Sequence, residues 1–272
     1  NVILGMTFVR DNRNPLGDKF PTVVIKDGTG EIYFGSEAFS TANKLDQNIF
    51  SLTDNFSIYK GAHTITVGAN FKFAHAYNLF IRQNYGQYTY NSMDDFMSVF
   101  TSNPVSAYQF DHSYSLVDDK TGDGSNAAAK FNSINMGVYA QDEWWAADNF
   151  KLTFGLRVNM PMWPTKPREA TNFNDSVVPK LEARYDPVSG SNYDLQGARS
   201  GEMPKIQFMF DPRVGFNWDV LKNKSLQIRG GVGMFTSRLP LVWPGGVYIN
   251  NRMTVGGVTY RHVDSTSKNI IV

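Results

Sequence analysis

Histidine is the residue type in this sequence best suited to acid–base or metal chemistry, and its spacing supports neither. The four histidines lie far apart, at His63, His75, His112 and His262, and none belongs to an H-E-x-x-H pair. Zinc sites and catalytic triads need convergent side chains, and that pair is the short-range signal for them. The chain also has no cysteine, which excludes thiolate ligands, cysteine nucleophiles and disulfide bonds. We therefore expect no metal ion, no cofactor and no enzymatic site.

Glycine pairs in two places have part of a phosphate-binding pattern. Gly28-x-Gly30 and Gly231-x-Gly233 lie between predicted strands, and no helix follows either pair. A phosphate cradle needs the N-terminus of the following helix, and the sequence has neither a Walker motif nor a G-x-S-x-G nucleophile motif. We interpret Gly231 and Gly233 as sites of strand curvature, a bulge or close approach of another segment.

One acidic loop, Asp118–Gly124, resembles the start of a calcium-binding loop. Asp119 and Asp123 have the spacing of the first and fifth positions of such a loop. The closing bidentate acid is missing, because the twelfth position is Lys130. A solvated loop tip is favoured over a calcium site.

Tyrosine-rich polar segments supply the candidates for ligand capture. These aromatic residues lie outside the long predicted strands: Tyr85, Tyr88, Tyr90, Phe96, Tyr108, Tyr114, Tyr185 and Tyr193. Aromatic faces bury area against sugar rings or peptide side chains at low entropic cost. Tyr88, Tyr90 and Tyr108 are our predicted ligand-binding residues. Packing of the loops against each other is the alternative.

Composition excludes several classes of protein. The chain has 272 residues, a net charge of +1 and 42% hydrophobic residues. The near-neutral charge argues against a nucleic-acid surface, and no apolar run approaches the roughly 18 residues of a transmembrane helix. A membrane β-barrel is compatible with the mean hydropathy of −0.33, because only alternate residues of its strands face lipid.

Residues 150–160 show an unbroken alternation of apolar and polar side chains. The apolar positions are the even ones: Phe150, Leu152, Phe154, Leu156, Val158 and Met160. The same alternation runs through 63–73 and 226–234. It predicts strands between an apolar medium and water, each about ten residues long, as a tilted transmembrane strand requires. We predict that 150–160 form one strand whose even-numbered side chains face lipid.

Tight polar turns join these strands into hairpins. The turn signals are Tyr59–Ala62, Ala147–Asn149 and Leu221–Lys224. The predicted hairpins span roughly 48–74, 132–161 and 212–236, with a first strand at Ile3–Val9 and long polar segments at 76–130 and 163–205. Bacterial outer-membrane barrels have this pattern, with short turns in the periplasm and long loops outside, whereas a soluble sandwich shows turns every 8–12 residues or so. Because seven strands are an odd number, we expect a portion of a larger barrel.

Aromatic and charged residues are placed as a membrane barrel requires. The aromatic residues at predicted strand ends, where interfacial girdles form, are Tyr77, Trp144, Trp145, Phe150, Trp163 and Trp218. The charged residues on polar faces or near short turns are Asp142, Glu143, Arg157, Arg213, Asp219 and Arg229. A basic residue at the lipid-facing midplane costs about 2–4 kcal/mol, so charges are expected inside, hydrated or against a plug. Core aromatics of a soluble β protein are the alternative.

Two local elements are predicted within the loops. Thr22–Lys26 and Glu31–Gly35 flank an Asp-Gly-Thr-Gly turn and should form a small hairpin above the first loop. Met93–Phe100 should form a helical turn capped by Asn91 or Ser92.

The hairpin sequences resemble TonB-dependent outer-membrane receptors, in the branch of SusC-like and Oar-like proteins. The stretches that carry the resemblance are Leu52–Phe56 with Lys60–Gly68, Gly137–Trp144, Leu152–Arg157, and Asp211–Asp219 with Ile228–Phe235. They touch all three hairpins in the order that the family shows. The resemblance implies an all-β fold: an antiparallel transmembrane barrel of twenty-two strands with long extracellular loops, an N-terminal plug and a TonB box. Neither plug nor TonB box is recognisable here, so residues 1–272 are expected to be a portion of the barrel alone.

The resemblance also implies a function. It predicts a receptor in the outer membrane of a Gram-negative bacterium that imports a nutrient such as an oligosaccharide or peptide. The implied partners are outer-membrane lipids, the TonB system acting through the plug and a surface lipoprotein, with no nucleic acid. Two alternatives remain at this point: a non-transporting structural or adhesion barrel, and a soluble all-β binding module.

Overall fold

A computed structural model describes residues 1–15, 17–117 and 124–262. Its strands are β1 (Val2–Arg13), β2 (Thr22–Asp27), β3 (Gly30–Phe34), β4 (Asn43–Lys60), β5 (His63–Phe80), β6 (Gln87–Tyr90), β7 (Gln109–Ser115), β8 (Ala129–Ala147), β9 (Phe150–Met162), β10 (Tyr185–Asp186), β11 (Ser191–Asn192), β12 (Met209–Asp219), β13 (Gln227–Gly233) and β14 (Val255–Arg261). Its helices are α1 (Met93–Ser98), α2 (Val178–Glu182) and α3 (Val242–Ile249), with a 3₁₀ turn at Ser125–Ala127 and a π-helical turn at Phe173–Val177. The suggested calcium ligands Asp119 and Asp123 lie outside the described residues. No helix in the described part of the chain is long and apolar enough to cross a membrane.

Seven strands form one antiparallel sheet in the order β1-β4-β5-β8-β9-β12-β13. The three predicted hairpins are confirmed as β4–β5, β8–β9 and β12–β13, and the predicted first strand is confirmed as β1. Strands β4 and β5 each have 18 residues and extend well beyond the predicted hairpin at the end away from the turn. We call the end with the short connections after β4, β8 and β12 the turn end, and the opposite end the loop end.

The two faces of this sheet differ in polarity. One face, which we call the polar wall, carries the even-numbered residues of β5 and the odd-numbered residues of the other six strands. The other face is apolar and open, and Val67, Val138, Phe154 and Leu156 are exposed on it. The prediction that residues 150–160 form one strand is confirmed by β9. Exposed apolar side chains in such number need a partner medium other than water.

The sheet has the register of a barrel wall. His63, the first residue of β5, pairs with Trp144, and β8 continues three residues further, to Ala147. The turn after β8 therefore lies about 10 Å further along the strand direction than the turn after β4. Across the sheet, the two turns are separated by two inter-strand spacings of about 4.8 Å. If the turns lie at one level, the strands tilt by about 45°, close to the 35–45° or so of closed barrels.

A second sheet gathers strands from the connecting segments in the order β14-β7-β6-β2-β3. The predicted small hairpin is confirmed as β2–β3, but β2 also pairs in parallel with β6. Because it is flanked on both sides, β2 buries Val23, Val24 and Ile25. The predicted helical turn is confirmed as α1, whose Ser92 side chain accepts a hydrogen bond from Asp95 N at 3.0 Å.

Helix α3 packs on the loop end of the polar wall. Its Tyr248 stacks on Phe131 of β8, with ring centroids 4.8 Å apart and planes 4° from parallel. The Tyr248 hydroxyl donates to Thr165 O at 2.7 Å. Ala76 and Ala129 complete this core with almost no exposed surface. The helix is thus fixed against the wall by aromatic packing.

Candidate functional site

A chain of polar contacts crosses the middle of the polar wall. Arg157 Nε donates to Asn159 Oδ1 at 2.7 Å, and Asn159 Nδ2 donates to Asp211 Oδ2 at 2.6 Å. Asn159 and Asp211 are only 5% and 9% exposed. Buried polar groups are costly unless they are hydrogen-bonded, and here each finds a partner. The network therefore holds β9 and β12 in one register.

Residues 234–241, which we call the strap, follow β13 and fold back over the wall. Met234 N donates to Pro212 O at 2.9 Å. Thr236 Oγ1 donates to Asp211 Oδ1 at 2.6 Å, so that both carboxylate oxygens of Asp211 accept hydrogen bonds. The strap then leads directly into α3. It is thus fastened at both ends.

A cavity of about 390 Å³ lies between the strap and the wall. Its floor comes from β4, β5 and β8, and its sides come from residues 204–209 and the strap. Pockets of this size, part apolar and part polar, are typical of small-molecule sites. This cavity, which we call the wall pocket, is the candidate functional site that the sequence did not reveal.

The charged residues predicted to lie inside are on the polar wall, with one exception. Arg213 Nη2 donates to Gln141 Oε1 at 2.5 Å, and Lys151 pairs with Glu143 at 2.7 Å. Asp142, by contrast, points to the apolar face. Its carboxylate lies 2.7 Å from His63 Nδ1. The expectation that Asp142 faces inward was wrong, and the imidazole of His63 is its hydrogen-bond partner on the apolar face.

The predicted aromatic girdle needs two corrections. Trp145 pairs with Lys151 of β9, so it lies on the polar wall and not on the apolar face. Trp144 stacks on His63 on the apolar face near the turn end, with ring centroids 5.6 Å apart. Trp163, predicted for the opposite girdle, instead packs on Phe131 at 6.2 Å and lines the wall pocket. Its odd position continues the polar-wall phase of β9, which explains why it turns inward.

The three predicted ligand-binding tyrosines lie at one end of the second sheet. Tyr88 packs on Phe110 with centroids 4.6 Å apart, and Tyr90 meets Phe96 edge to face at 5.4 Å. Tyr88 and Tyr90 share one face of β6. Lys26 Nζ lies 4.5 Å from the ring centre of Tyr108. The three tyrosine rings are therefore partly covered by these contacts, while Tyr88 remains 38% exposed.

Burial influences the ionisation of the Tyr90 hydroxyl. Desolvation raises the pKa of Tyr90 above its usual value of 10.0, and the neighbouring Tyr88 hydroxyl adds to the effect. The Tyr90 hydroxyl therefore stays protonated at neutral pH and can donate a hydrogen bond.

Glycines opposite large side chains are a feature of the polar wall that periodicity alone does not reveal. A Cβ on Gly137 would lie 2.4 Å from Arg157 Nη2, and one on Gly68 would lie 2.5 Å from the Tyr139 ring. Both glycines leave room for side chains that lie flat along the wall. Among the described residues, no group of three or more histidines, aspartates or glutamates lies close enough together to hold a metal ion.

Comparison with known families decides where this sheet resides. A family model described as "Outer membrane beta barrel domain" matches residues 3–266. The chain belongs to this family. It is therefore an antiparallel barrel portion in the outer membrane of a Gram-negative bacterium, with its apolar face toward lipid and its polar wall toward the lumen.

Solved structures with a similar strand arrangement include two transport proteins. One is the copper transporter OprC, at 11% identity and a TM-score of 0.38, covering 82% of this chain and 29% of that chain. Another is the ferric-catecholate import receptor Fiu from E. coli K12, at 11% identity and a TM-score of 0.34, covering 80% of this chain and 29% of that chain. The chain thus spans less than a third of the length of either structure. No curated protein matches it.

The barrel portion has a definite orientation that cysteine labelling can check. The turn end should face the periplasm, and the segments before β8 and β12 should face the cell surface, because short turns are periplasmic in such barrels. We expect a membrane-impermeant maleimide to label Ser189→Cys on intact cells expressing the full-length protein. We expect Asn223→Cys to react only after the outer membrane is permeabilised. Labelling of Asn223→Cys on intact cells would reverse the assignment.

Proposed function

We propose that this chain is part of a TonB-dependent receptor, of the SusC-like and Oar-like branch, that imports a nutrient such as an oligosaccharide or peptide. The wall pocket is the observation that carries the proposal. A purely structural barrel has no need of a pocket of about 390 Å³ built on its inner wall beneath a fastened strap. The plug, the TonB system and a surface lipoprotein are the proposed partners, and no catalytic step is involved.

Aromatic side chains of the second sheet are the proposed site of first contact with the ligand. Tyr88, Tyr90 and Tyr108 lie in the segment between β5 and β8, which we expect to face the cell surface. Rings of this kind stack on sugars and on peptide side chains with little loss of conformational entropy. We propose that these residues capture the ligand before it reaches the wall pocket.

Uptake by cells tests the transport function. A strain that carries the full-length protein would be compared with its deletion strain for growth on a panel of oligosaccharides and peptides as carbon source. We expect at least one solute larger than the porin limit to support growth only when the protein and a functional TonB are both present. Equal growth of the two strains on every solute, with surface attachment lost in the deletion strain, would favour the adhesion alternative.

Replacing the three tyrosines tests the capture role. We expect Tyr88→Ala, Tyr90→Ala and Tyr108→Ala together to weaken binding of the imported solute by roughly tenfold, because buried aromatic contacts dominate such interfaces. The abundance of the protein in the outer membrane should stay unchanged. Tyr33→Ala is the matched control, since Tyr33 is 62% exposed on the opposite face of the same sheet. Unchanged affinity in the triple variant would remove the role.

A further inference from the structure

The wall pocket is lined by positive charges and by no negative ones. Lys72 comes from β5, Lys205 from the segment before β12, and Arg238 from the strap. No aspartate or glutamate is among its described lining residues. Three cations from three separate parts of the chain therefore converge on one cavity.

These three cations have no partner within the described part of the chain. The side chains of Lys72, Lys205 and Arg238 make no hydrogen bond and no ion pair there. Cations elsewhere on the wall differ: Lys151 pairs with Glu143 at 2.7 Å, and Arg229 donates to Gln227 at 2.7 Å. No ion pair within the described residues therefore neutralises the positive charge of the pocket.

The remaining lining suits the uncharged part of a solute. Trp163 and Leu241 supply apolar surface, and Gln47 and Asn135 supply hydrogen-bonding groups on the floor. An aromatic ring beside polar groups fits a sugar ring or a side chain, while the cations fit acidic substituents.

We propose that the wall pocket binds an anionic solute, with two or more carboxylate or phosphate groups held by Lys72, Lys205 and Arg238. Like charges in a cavity with low-dielectric walls raise the local concentration of anions and repel each other until an anion enters. Lysine and arginine form charge-assisted hydrogen bonds with both acidic groups. The inference rests on the proposed function, because the solute reaches the pocket through the lumen.

Calorimetry on the full-length protein in detergent tests the proposal with three probes. Trigalacturonate has charge and rings, tripolyphosphate has charge alone, and maltotriose has rings alone. We expect trigalacturonate, tripolyphosphate or both to bind, more tightly than maltotriose and more weakly as salt is raised. The two anions separate carboxylate from phosphate recognition. We expect Lys72→Gln with Arg238→Gln to weaken anion binding at least tenfold.

A charge-matched variant shows whether the lower net charge alone weakens anion binding. Lys222→Gln with Lys224→Gln removes the same charge from the turn after β12, far from the pocket, and should leave binding unchanged. The proposal is overturned if neither anion binds, which would happen if an acidic surface of the plug occupied the three cations. It is also overturned if maltotriose binds as tightly as the anions, or if the two double variants bind the anions equally well. The calorimetric assay needs no TonB. If the protein binds the anions but supports no TonB-dependent growth on any solute, the result counts against the proposed transport function and not against the anion site.

Discussion

Leu156→Arg is expected to destabilise the barrel by about 2–4 kcal/mol, the cost of a basic side chain at the lipid-facing midplane. Leu156 is 47% exposed on the apolar face, in the middle of β9. Its side chain has no polar partner there, and the guanidinium would have to be desolvated or reach for a distant headgroup. The free energy of unfolding of the full-length protein, measured by urea titration in lipid vesicles, should fall by that amount.

The control is Thr153→Arg on the same strand. Thr153 lies on the polar wall, directly opposite Glu143 on β8, so a new arginine there meets water and a carboxylate. We expect a change within about 0.5 kcal/mol, as for most tolerated surface substitutions. An equal loss at both positions would contradict the assignment of the two faces.

Phe131→Ala is expected to release α3 from the wall at a cost of about 3–5 kcal/mol, the usual range for truncating a buried phenylalanine. Phe131 is 1% exposed and stacks on Tyr248, so its loss leaves a cavity at the centre of the core. Hydrogen exchange of the α3 amides should accelerate by about a hundredfold or more, since local opening then requires less free energy.

Phe100→Ala is the matched control, because Phe100 is 73% exposed near the end of α1. It should leave exchange in α3 unchanged. Unaltered exchange of α3 in Phe131→Ala would show that the helix does not depend on this stacking, and the strap would then need another anchor.

The membrane strands could be predicted from the sequence because one face of each strand meets lipid and the other meets the lumen. Apolar and polar residues therefore alternate along the strand with a period of two. Residues 150–160 alternate without a break, so the strand and its two faces followed directly. Asp142 was predicted on the wrong face because its charge was given more weight than its even-numbered position in β8. It shares the apolar phase of Val138 on β8, and its partner His63 is 79 residues away in the chain.

The second sheet and the wall pocket could not be predicted in the same way. β6 has four residues, and its parallel pairing with β2 joins segments more than 60 residues apart. Short strands of this kind have too few residues to show a period. The pocket depends on how the strap folds back, and Asp211 and Thr236 carry no sequence signal of their contact.

Accessibility along β9 shows whether this chain is a barrel wall with lipid on one side and a lumen on the other. Single spin labels at positions 151–160 of the full-length protein in lipid vesicles would be probed with oxygen, which partitions into lipid, and with a water-soluble nickel chelate. We expect a period of two, with even positions accessible to oxygen and odd positions to the chelate wherever the lumen is wet. The opposite phase, or equal accessibility to the chelate at every position, would contradict it.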